Sequence, residues 1–415
     1  MDANLRRRLE RLERRGARPR SPAKRPRAEP TKASGLPAGE ELETPLGVAY
    51  RLESRFPLSH QHGQAALRDL LDFEPALAAE VAGDRKLRAT RLGSLAFVDL
   101  ETTGLAGGTG TLGFLVGVGT FQPDGFRLRQ YFLRDPNEEA AMLRSLKLEL
   151  EQMEGMVSFN GRVFDVPLLE ARSTIALRER WRLNEWPHFD LLYPSRRLWH
   201  RSLTDCRLGT LEQHILQITR AEEDVPGELI PGMYLDYLRT GDASDMRRVI
   251  YHNSVDILSL VGLASGVLDR YRRPDPADLS GEEALAVARW HQASGRSGSA
   301  EAAYRAAVAG TGRVELRAEA LRRYTTHLKR AGQLKQALAA WRSWHKLAPE
   351  DPTPCLELSK YFEWQAGSYQ QALDWAEQAR GSLLSWPADW RRRGAEAEID
   401  HRIRRLRGKL GQGKR

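Results

Sequence analysis

The sequence predicts an α/β domain built on a mixed five-stranded sheet with flanking helices, followed by an all-α domain. Two observations carry this prediction. Between residues 95 and 192, short apolar or alternating runs are separated by helical patterns, which is typical of a sheet covered by helices. Beyond residue 272 the chain is rich in Ala, Leu and Arg and shows no strand pattern.

The strands are recognised by their apolar runs and by the turn Gln122-Pro-Asp-Gly, which joins the second and third into a hairpin. The five predicted strands are Leu95–Leu100, Leu112–Phe121, Phe126–Leu133, Met156–Phe159 and His188–Leu192. Helical periodicity predicts helices at Asn137–Gln152, at Val166–Arg180, and from Ser244, as the N-cap, to about Tyr271.

A chain of 415 residues is too long for one ordinary domain. We expect a disordered basic arm over 1–44 and the α/β domain over 45–272. The α/β domain begins with a lead-in segment that contains a short strand at Val48–Leu52 and a helix around Gln64–Leu71. Arg272-Arg-Pro-Asp-Pro marks a boundary, and the helical domain follows over 278–410.

The positive charge is concentrated at the N-terminus. Residues 1–38 contain ten Arg and two Lys against four acidic residues, so they hold +8 of the formal net charge of +9. Four prolines between 19 and 30 are incompatible with regular structure there. Such an arm suits neutralisation of nucleic-acid phosphates; the alternative is a solvated leader that serves solubility alone.

Membrane and secreted classes are disfavoured. No run approaches the roughly 20 apolar residues of a membrane span, and the Arg-rich start lacks the apolar segment of a secretory signal. We therefore expect a cytoplasmic protein with no membrane segment. Cys206 and Cys355 are far apart and have no ligand spacing, so two idle thiols are expected.

An internal repeat is visible in the helical part. Gly298, Gly332 and Gly367 are 34 and 35 residues apart, and each is followed five residues later by an alanine, namely Ala303, Ala337 and Ala372. A period of this length resembles the tetratricopeptide repeat, in which helix pairs stack into an array. The alternative is an unrelated helical bundle. A repeat array would offer a groove for a protein partner.

Two carboxylates end the most apolar strand. Asp99 and Glu101 lie in Asp-Leu-Glu-Thr-Thr-Gly, and residues i and i+2 of a strand point to the same side. They can therefore converge on one point, and carboxylate oxygens are the ligands that Mg²⁺ prefers. Asp-x-Glu alone is common; its place at the end of a buried strand makes it specific.

A second signal is Asn160-Gly-Arg-Val-Phe-Asp165 at a strand-to-helix junction, where site residues of α/β sheets are often found. The alternative for Asp165 is a helix cap. Asp190, after the last strand, either supports such a site or caps the next helix.

The third signal lies inside the helix that begins at Ser244. His252 and Asp256 are four residues apart and share a helix face, whereas Tyr251 is rotated away. A histidine there could take a proton from an attacking water. The alternative is a surface pair without function. His60 and His62 lack further ligands nearby and are expected to be loop residues.

Together these motifs resemble the DEDD exonucleases of the ribonuclease H-like fold, and most of all the bacterial YprB-type family. The resemblance rests on Phe-Val-Asp-Leu-Glu-Thr-Thr-Gly-Leu, Asn-Gly-Arg-Val-Phe-Asp-Val-Pro and Tyr-His-Asn-Ser-Val-Asp-Ile-Leu-Ser-Leu, with the stretch from Asp224 to Tyr234 in support. It covers about Leu95–Leu268. It implies a ribonuclease H-like α/β domain and 3′→5′ phosphodiester hydrolysis.

The resemblance also implies that two Mg²⁺ or Mn²⁺ ions are held by four carboxylates, those of Asp99, Glu101, Asp165 and Asp256. In this superfamily the assisting residue is a Tyr four positions before the last Asp or a His five before it. Here the two are exchanged. The helix geometry favours His252 as the water-activating residue, and Tyr251 stays an alternative. Contacts to substrate are expected from Thr102, Asn160 and Tyr251.

The leading hypothesis is a two-metal exonuclease on single-stranded DNA or RNA, with phosphate contacts from the arm and from an Arg-rich stretch: Arg196, Arg197, Arg201 and Arg207. Two alternatives remain. One is a catalytically weak scaffold that binds nucleic acid or protein, and the other is an endonuclease that uses the same site.

Overall fold

The structure is a computed structural model that describes residues 35–104, 110–221, 224–273, 275–310 and 312–412. Most of the predicted disordered arm, residues 1–34, lies outside the described ranges. Its last part does not match the prediction, because Glu40–Thr44 forms a strand. This Glu-rich segment has no apolar pattern; it becomes a strand by pairing with the next one across a tight turn at Gly47, whose φ is 119°.

The predicted five-stranded sheet is confirmed as a mixed sheet, but it has seven strands. The two additional strands are N-terminal and lie at one edge of the sheet. Only Val48–Leu52, a part of the second, was predicted, because many of their positions are polar and exposed. The sheet strands are β1 (Glu40–Thr44), β2 (Gly47–Phe56), β5 (Leu95–Thr102), β6 (Gly113–Gln122), β7 (Gly125–Phe132), β8 (Gly155–Ser158) and β9 (His188–Asp190). A separate hairpin contains β3 (Gln61–His62) and β4 (Ala65–Ala66).

The strand order is β1-β2-β7-β6-β5-β8-β9. β5 is central: it pairs antiparallel with β6 and parallel with β8, and β9 continues the parallel side. A parallel connection needs a crossover segment, and helices provide it on both occasions. The carboxyl ends of β5, β8 and β9 therefore meet at one edge of the sheet.

The helices of the α/β part cover both faces of this sheet. They are α1 (Pro75–Ala82), α2 (Glu139–Leu150), α3 (Asp165–Arg172), α4 (Leu192–Trp199), α5 (Leu208–Leu211), α6 (Ile230–Thr240) and α7 (Ser244–Arg272). The predicted N-cap of α7 is wrong by one residue. Ser244 is already helical, Ala243 is the N-cap, and the Asp242 carboxylate accepts the Ser244 N–H at 3.0 Å.

Alternation along β5 determines which side its carboxylates occupy. Leu95 and Phe97 belong to the hydrophobic core beneath α7, whereas Val98 and Leu100 belong to the core on the opposite face. Since the side-chain period of a strand is two, Asp99 and Glu101 lie on the α7 side. The polar end of β5 therefore faces polar residues of α7.

The C-terminal region is helical throughout the residues that the structure describes. Its helices are α8 (Gly281–Ala293), α9 (Ser297–Gly310), α10 (Val314–Arg330), α11 (Leu334–Leu347), α12 (Pro352–Trp364), α13 (Tyr369–Ser382) and α14 (Trp390–Gln412). Its core is continuous with that beneath the sheet, since one buried cluster runs from Leu67 to Leu358.

The repeat spacing matches three successive helix pairs. Ala303, Ala337 and Ala372 are all buried in the second helix of a pair, but Ala337 and Ala372 are the fourth residues of α11 and α13, whereas Ala303 is the seventh residue of α9. Gly332 and Gly367 occupy the turns within their pairs with φ of 73° and 62°, a left-handed conformation that suits glycine. Gly298 does not play this part.

Gly298 lies inside α9, and the turn glycine of the first pair is Gly295, with a φ of 75°. The 34-residue spacing pointed to Gly298 as the turn glycine, but the turn of the first pair lies three residues earlier in the sequence.

The close approach of α7 to the sheet can be tested at Gly117. A Cβ there would lie 2.4 Å from Asn253 Oδ1 and 2.9 Å from the Ile257 side chain. We expect Gly117→Ala to lower the free energy of unfolding in urea by about 1–3 kcal/mol, because overpacking forces α7 outward. Gly209→Ala is the control, since a Cβ at Gly209 meets nothing within 4 Å. Equal stabilities of the two variants would contradict this packing.

Candidate active site

The first half of the site is the end of β5. Asp99 and Glu101 project from its carboxyl end toward α7. Asn253 on α7 donates from Nδ2 to Asp99 Oδ2 at 2.9 Å and to the Asp99 carbonyl at 3.2 Å. Asn253 is fully buried and its Oδ1 accepts from Gln130 at 2.9 Å. This amide therefore ties the helix to the strand at the carboxylate.

The second half comes from α7 itself. His252 and Asp256 lie one turn apart, and His252 Nε2 is 3.5 Å from Asp256 Oδ2 and 3.9 Å from Glu101 Oε1. One ligand atom from each of Glu101, His252 and Asp256 lies within 4.8 Å of the other two. The structure thus brings together residues that are 155 positions apart in the sequence, between Glu101 and Asp256.

Asp165 reaches the same edge from the next strand-to-helix junction. It is the first residue of α3, whose N-cap is Phe164, and its carboxylate makes no capping hydrogen bond. The helix-cap interpretation therefore does not account for it. Its charge acts on both Asp99 and Glu101, so it belongs to the same electrostatic cluster.

Asp190, at the end of β9, serves both of the purposes that the sequence left open. Its carboxylate accepts from the backbone N–H of Leu192 at 3.1 Å, at the start of α4. It also accepts from the N–H groups of Asn160 at 2.8 Å and Arg162 at 3.1 Å. The buried Asp190 therefore holds the loop that carries Asp165.

The carboxylate cluster is electrostatically costly without cations. Burial, followed by the charges of Asp256 and Asp165, raises the pKa of Asp99 well above its usual range. Burial and the same neighbours together with Asp99 raise the pKa of Glu101. Burial and the charge of Asp190 raise the pKa of Asp165 to about 7. A group of acids that resists ionisation in this way is characteristic of functional sites.

Arg220 is a residue of this site that sequence reasoning missed. Its guanidinium donates to both carboxylate oxygens of the buried Glu212, at 2.6 and 2.7 Å, and its Nη2 also donates to Asp256 Oδ1. Burial raises the pKa of Asp256, and the charges of His252 and Arg220 oppose that rise. A lone arginine in a loop carries no sequence signal, because only folding shows which acids it meets.

Asp224 orients the histidine. His252 Nδ1 is 2.8 Å from Asp224 Oδ1, and an ionised carboxylate can only accept. Arg220 Nη1, which can only donate, lies 3.0 Å from the same Nδ1. The carboxylate contact is the shorter of the two, so we assign the proton to Nδ1, which leaves the lone pair on Nε2 facing Glu101 and Asp256. Arg220 Nη1 contacts the same Asp224 carboxylate at 3.5 Å. The motif that begins at Asp224 indicated the family but not this contact.

The three residues predicted to contact substrate lie in different elements and differ in their contacts within the protein. The Tyr251 hydroxyl accepts the backbone N–H of Ala221 at 3.3 Å, so its hydroxyl binds the loop that carries Arg220. Thr102 Oγ1 donates to the Gly104 carbonyl at 3.0 Å. Asn160 has a φ of 64°, a conformation that asparagine tolerates better than most residues. Of the two exchanged residues, His252 is the one beside the carboxylates.

A cleft of about 700 Å³ opens beside His252 and Asp256. It is lined by residues 207–213, from Arg207 to Gln213 with the exception of Leu211, and by residues of the loop that contains Arg220. Arg207 is the member of the predicted phosphate-binding stretch that faces it. Arg197 and Arg201 instead contact the helical region: Arg197 lies over the Trp290 ring, and Arg201 binds Glu319 at 2.6 Å.

The remaining candidates are structural. His62 is buried rather than in an open loop, its Nε2 lies 2.9 Å from Ser259 Oγ, and burial lowers its pKa to about 4. Cys206 is half-buried and Cys355 is buried, and both are free thiols. Within the described ranges no helix is long and apolar enough to cross a bilayer.

Comparison with known proteins agrees with this architecture. A sequence model of the RNase H superfamily matches residues 96–267, which include the carboxylate cluster. The chain is also 30% identical over 333 residues to the uncharacterized protein YprB of Bacillus subtilis (strain 168), and the match covers 79% of each chain. The chain therefore belongs to the same family as YprB, within the RNase H superfamily.

The charge repulsion predicts how stability depends on pH. Because the pKa of Asp165 is raised to about 7 in the folded protein, from roughly 4 when unfolded, folding favours the protonated acid. That contribution is complete below about pH 4 and is lost as the pH rises toward 7. We expect the melting temperature of Asp165→Asn in chelator to gain on the native protein across this interval.

The matched control is Asp124→Asn, at the exposed β6–β7 turn. Its difference from the native protein should stay constant over the same pH values. A difference for Asp165→Asn that does not grow with pH would contradict the electrostatic account.

Proposed function

We propose that the protein is a metal-dependent nuclease of the DEDD type, and that it acts as a 3′→5′ exonuclease on single-stranded DNA or RNA. One observation carries the proposal: Glu101 on a strand end and Asp256 on a helix converge with His252, while the charges of Asp99 and Asp165 act on the same cluster. RNase H superfamily membership supports nuclease chemistry; exonuclease action and polarity are proposed from the resemblance of the motifs.

The donor set fits divalent cations. Asp99, Glu101, Asp165 and Asp256 offer hard oxygen ligands, and their raised pKa values mean that nearby cations would favour their ionised forms. We assign Mg²⁺ or Mn²⁺ to these four carboxylates, two ions in all. Such ions supply Lewis-acid stabilisation of the attacking and leaving oxygens of a phosphodiester.

The protein's own groups prepare the attack. His252 Nε2 carries the lone pair that accepts a proton from water, and Asp224 stabilises the imidazolium that results. Arg220 contacts both Asp224 and Asp256 and also anchors the loop to the buried Glu212. These three side chains keep the base aimed at the carboxylates.

The substrate is proposed to enter along the cleft lined by Arg207. Thr102, Asn160 and Tyr251 stay proposed substrate contacts. Most of the basic arm, residues 1–34, lies outside the described residues, and the arm is proposed to bind phosphates. The helix pairs of the C-terminal region, with their turn glycines and buried alanines, support a tetratricopeptide-like array that holds a partner.

The metal-dependent reaction can be tested with labelled oligonucleotides. Native protein with Mg²⁺ or Mn²⁺ is expected to shorten a single strand labelled at its 5′ end one nucleotide at a time. Asp99→Asn and Glu101→Gln should abolish cleavage, because each removes a metal ligand. Asp124→Asn should cleave like the native protein. Metal-dependent cleavage that survives Asp99→Asn would overturn the proposal.

The same assay separates the alternatives. A circular single strand has no end, so an exonuclease leaves it intact whereas an endonuclease opens it. Release of the nucleotide from the 3′ end first would support the proposed polarity. Binding without turnover under either metal would favour the scaffold.

The role of Asp224 can be tested separately. Asp224→Asn can no longer hold the Nδ1–H tautomer of His252 by charge, so we expect kcat to fall about 10- to 100-fold with KM little changed. Nitrogen chemical shifts of the His252 imidazole should show the tautomers mixing. Asp236→Asn, at an exposed ion pair with Arg239, is the control. An unchanged tautomer would contradict the assignment.

A further inference from the structure

The helical region contains one strongly basic surface that its own acids do not neutralise. Helices α10 and α11 with their flanking residues, 313–348, hold nine Lys and Arg against Glu315 and Glu319, a net charge of +7. Two of these cations are paired with acids of neighbouring helices, Arg313 with Glu282 and Lys329 with Glu357. Helix α11, Leu334–Leu347, contains no acidic residue. Glu319 is already occupied, because it accepts from Arg201 and Arg323.

The cations of α11 form a stripe. Lys335, Arg342 and Lys346 are spaced i, i+7 and i+11, so they fall within about 40° of one another around the helix and span roughly 16 Å along it. All three are exposed. The opposite face contains the buried Trp341 and Trp344. The stripe is therefore directed to solvent by the packing of the helix.

The stripe lacks ion-pair partners, unlike the other basic helix. Across the described part of the chain, no carboxylate lies within 4.0 Å of the charged groups of Lys335, Arg342 or Lys346. In α14 the corresponding charges are used internally: Arg402, Arg405 and Lys409 bind Glu363, and Arg407 binds Glu377. These four cations of α14 stabilise the fold, whereas the three cations of the α11 stripe are left open.

The surface is joined to the active site by a short series of contacts. Asp190 holds the loop that carries Asp165 and also bonds the start of α4. Helix α4, eight residues or about 12 Å long, leads to Arg201, which binds Glu319 on α10. A single-stranded nucleic acid whose end lies at the carboxylates would need only a modest length to reach α10 and α11.

We infer that the solvent face of α10 and α11, centred on Lys335, Arg342 and Lys346, binds the phosphodiester backbone of the nucleic acid whose end is in the active site. The choice of partner rests on the proposed function. A span of 16 Å matches about five phosphates at the 3.4 Å per-strand spacing of duplex DNA, and fewer along an extended strand. A row of unpaired cations on a rigid helix suits a row of anions.

The test measures binding without cleavage. Full-length protein in chelator is titrated with a 30-nucleotide single strand at several salt concentrations. Replacing Lys335, Arg342 and Lys346 with Gln is expected to weaken binding about 10- to 100-fold at 0.1 M salt. The slope of log affinity against log salt should become shallower by about 2, since each phosphate contact on a single strand contributes about 0.7.

The matched control replaces Arg391, Arg393 and Arg404 of α14 with Gln. These three arginines are exposed, and replacing them removes the same total charge. If the position of the charge determines binding, the affinity of this variant should stay within about twofold of that of the native protein. Unchanged binding by the α11 variant, or equal loss by both variants, would overturn the inference.

Two further outcomes are informative. If polyglutamate competes with the bound oligonucleotide as effectively as unlabelled nucleic acid does, the surface fits an acidic protein, and the assignment to nucleic acid is overturned. If the α11 variant loses binding while the native protein never cleaves with metal, the inference stands and the proposed function fails.

Discussion

Contact between α7 and the face of β5 and β6 is the interaction on which the site depends. Gly117 and Gly119 have no side chains, and this allows Asn253 and Ile257 to lie where a Cβ would otherwise be. Asn253 then bonds Asp99 directly. Without that approach the acids of the strand and those of the helix would be separate surface groups. The glycines of β6 are therefore part of the site although they contain no chemistry.

The same approach creates a problem of charge. Acids from a strand, a helix and two strand-to-helix junctions are held together in a poorly hydrated place, and their pKa values rise in consequence. Arg220 offsets part of this repulsion by binding Asp256 and Glu212 at once. Because added positive charge would relieve this repulsion, the proposed binding of cations rests on the fold as a whole rather than on any one residue.

The helical region is packed onto the α/β domain rather than tethered to it. Tyr271 at the end of α7 lies against Trp290 of α8, and Glu283 binds both Trp199 and Arg270. A continuous core through this junction keeps α10 and α11 in a defined place relative to the carboxylates. A basic surface held in that way can act on the same substrate as the site, which a flexible appendage would do less effectively.

The sequence by itself determined the central strands, the long helix and two pairs of candidate residues. Apolar periodicity and the pairs Asp99/Glu101 and His252/Asp256 are local patterns that survive in any context. The tertiary structure alone decided the rest: the edge strand Glu40–Thr44, the turn at Gly295, and the part played by Arg220. Those features depend on partners distant in the chain, and no local pattern encodes which acid an arginine meets after folding.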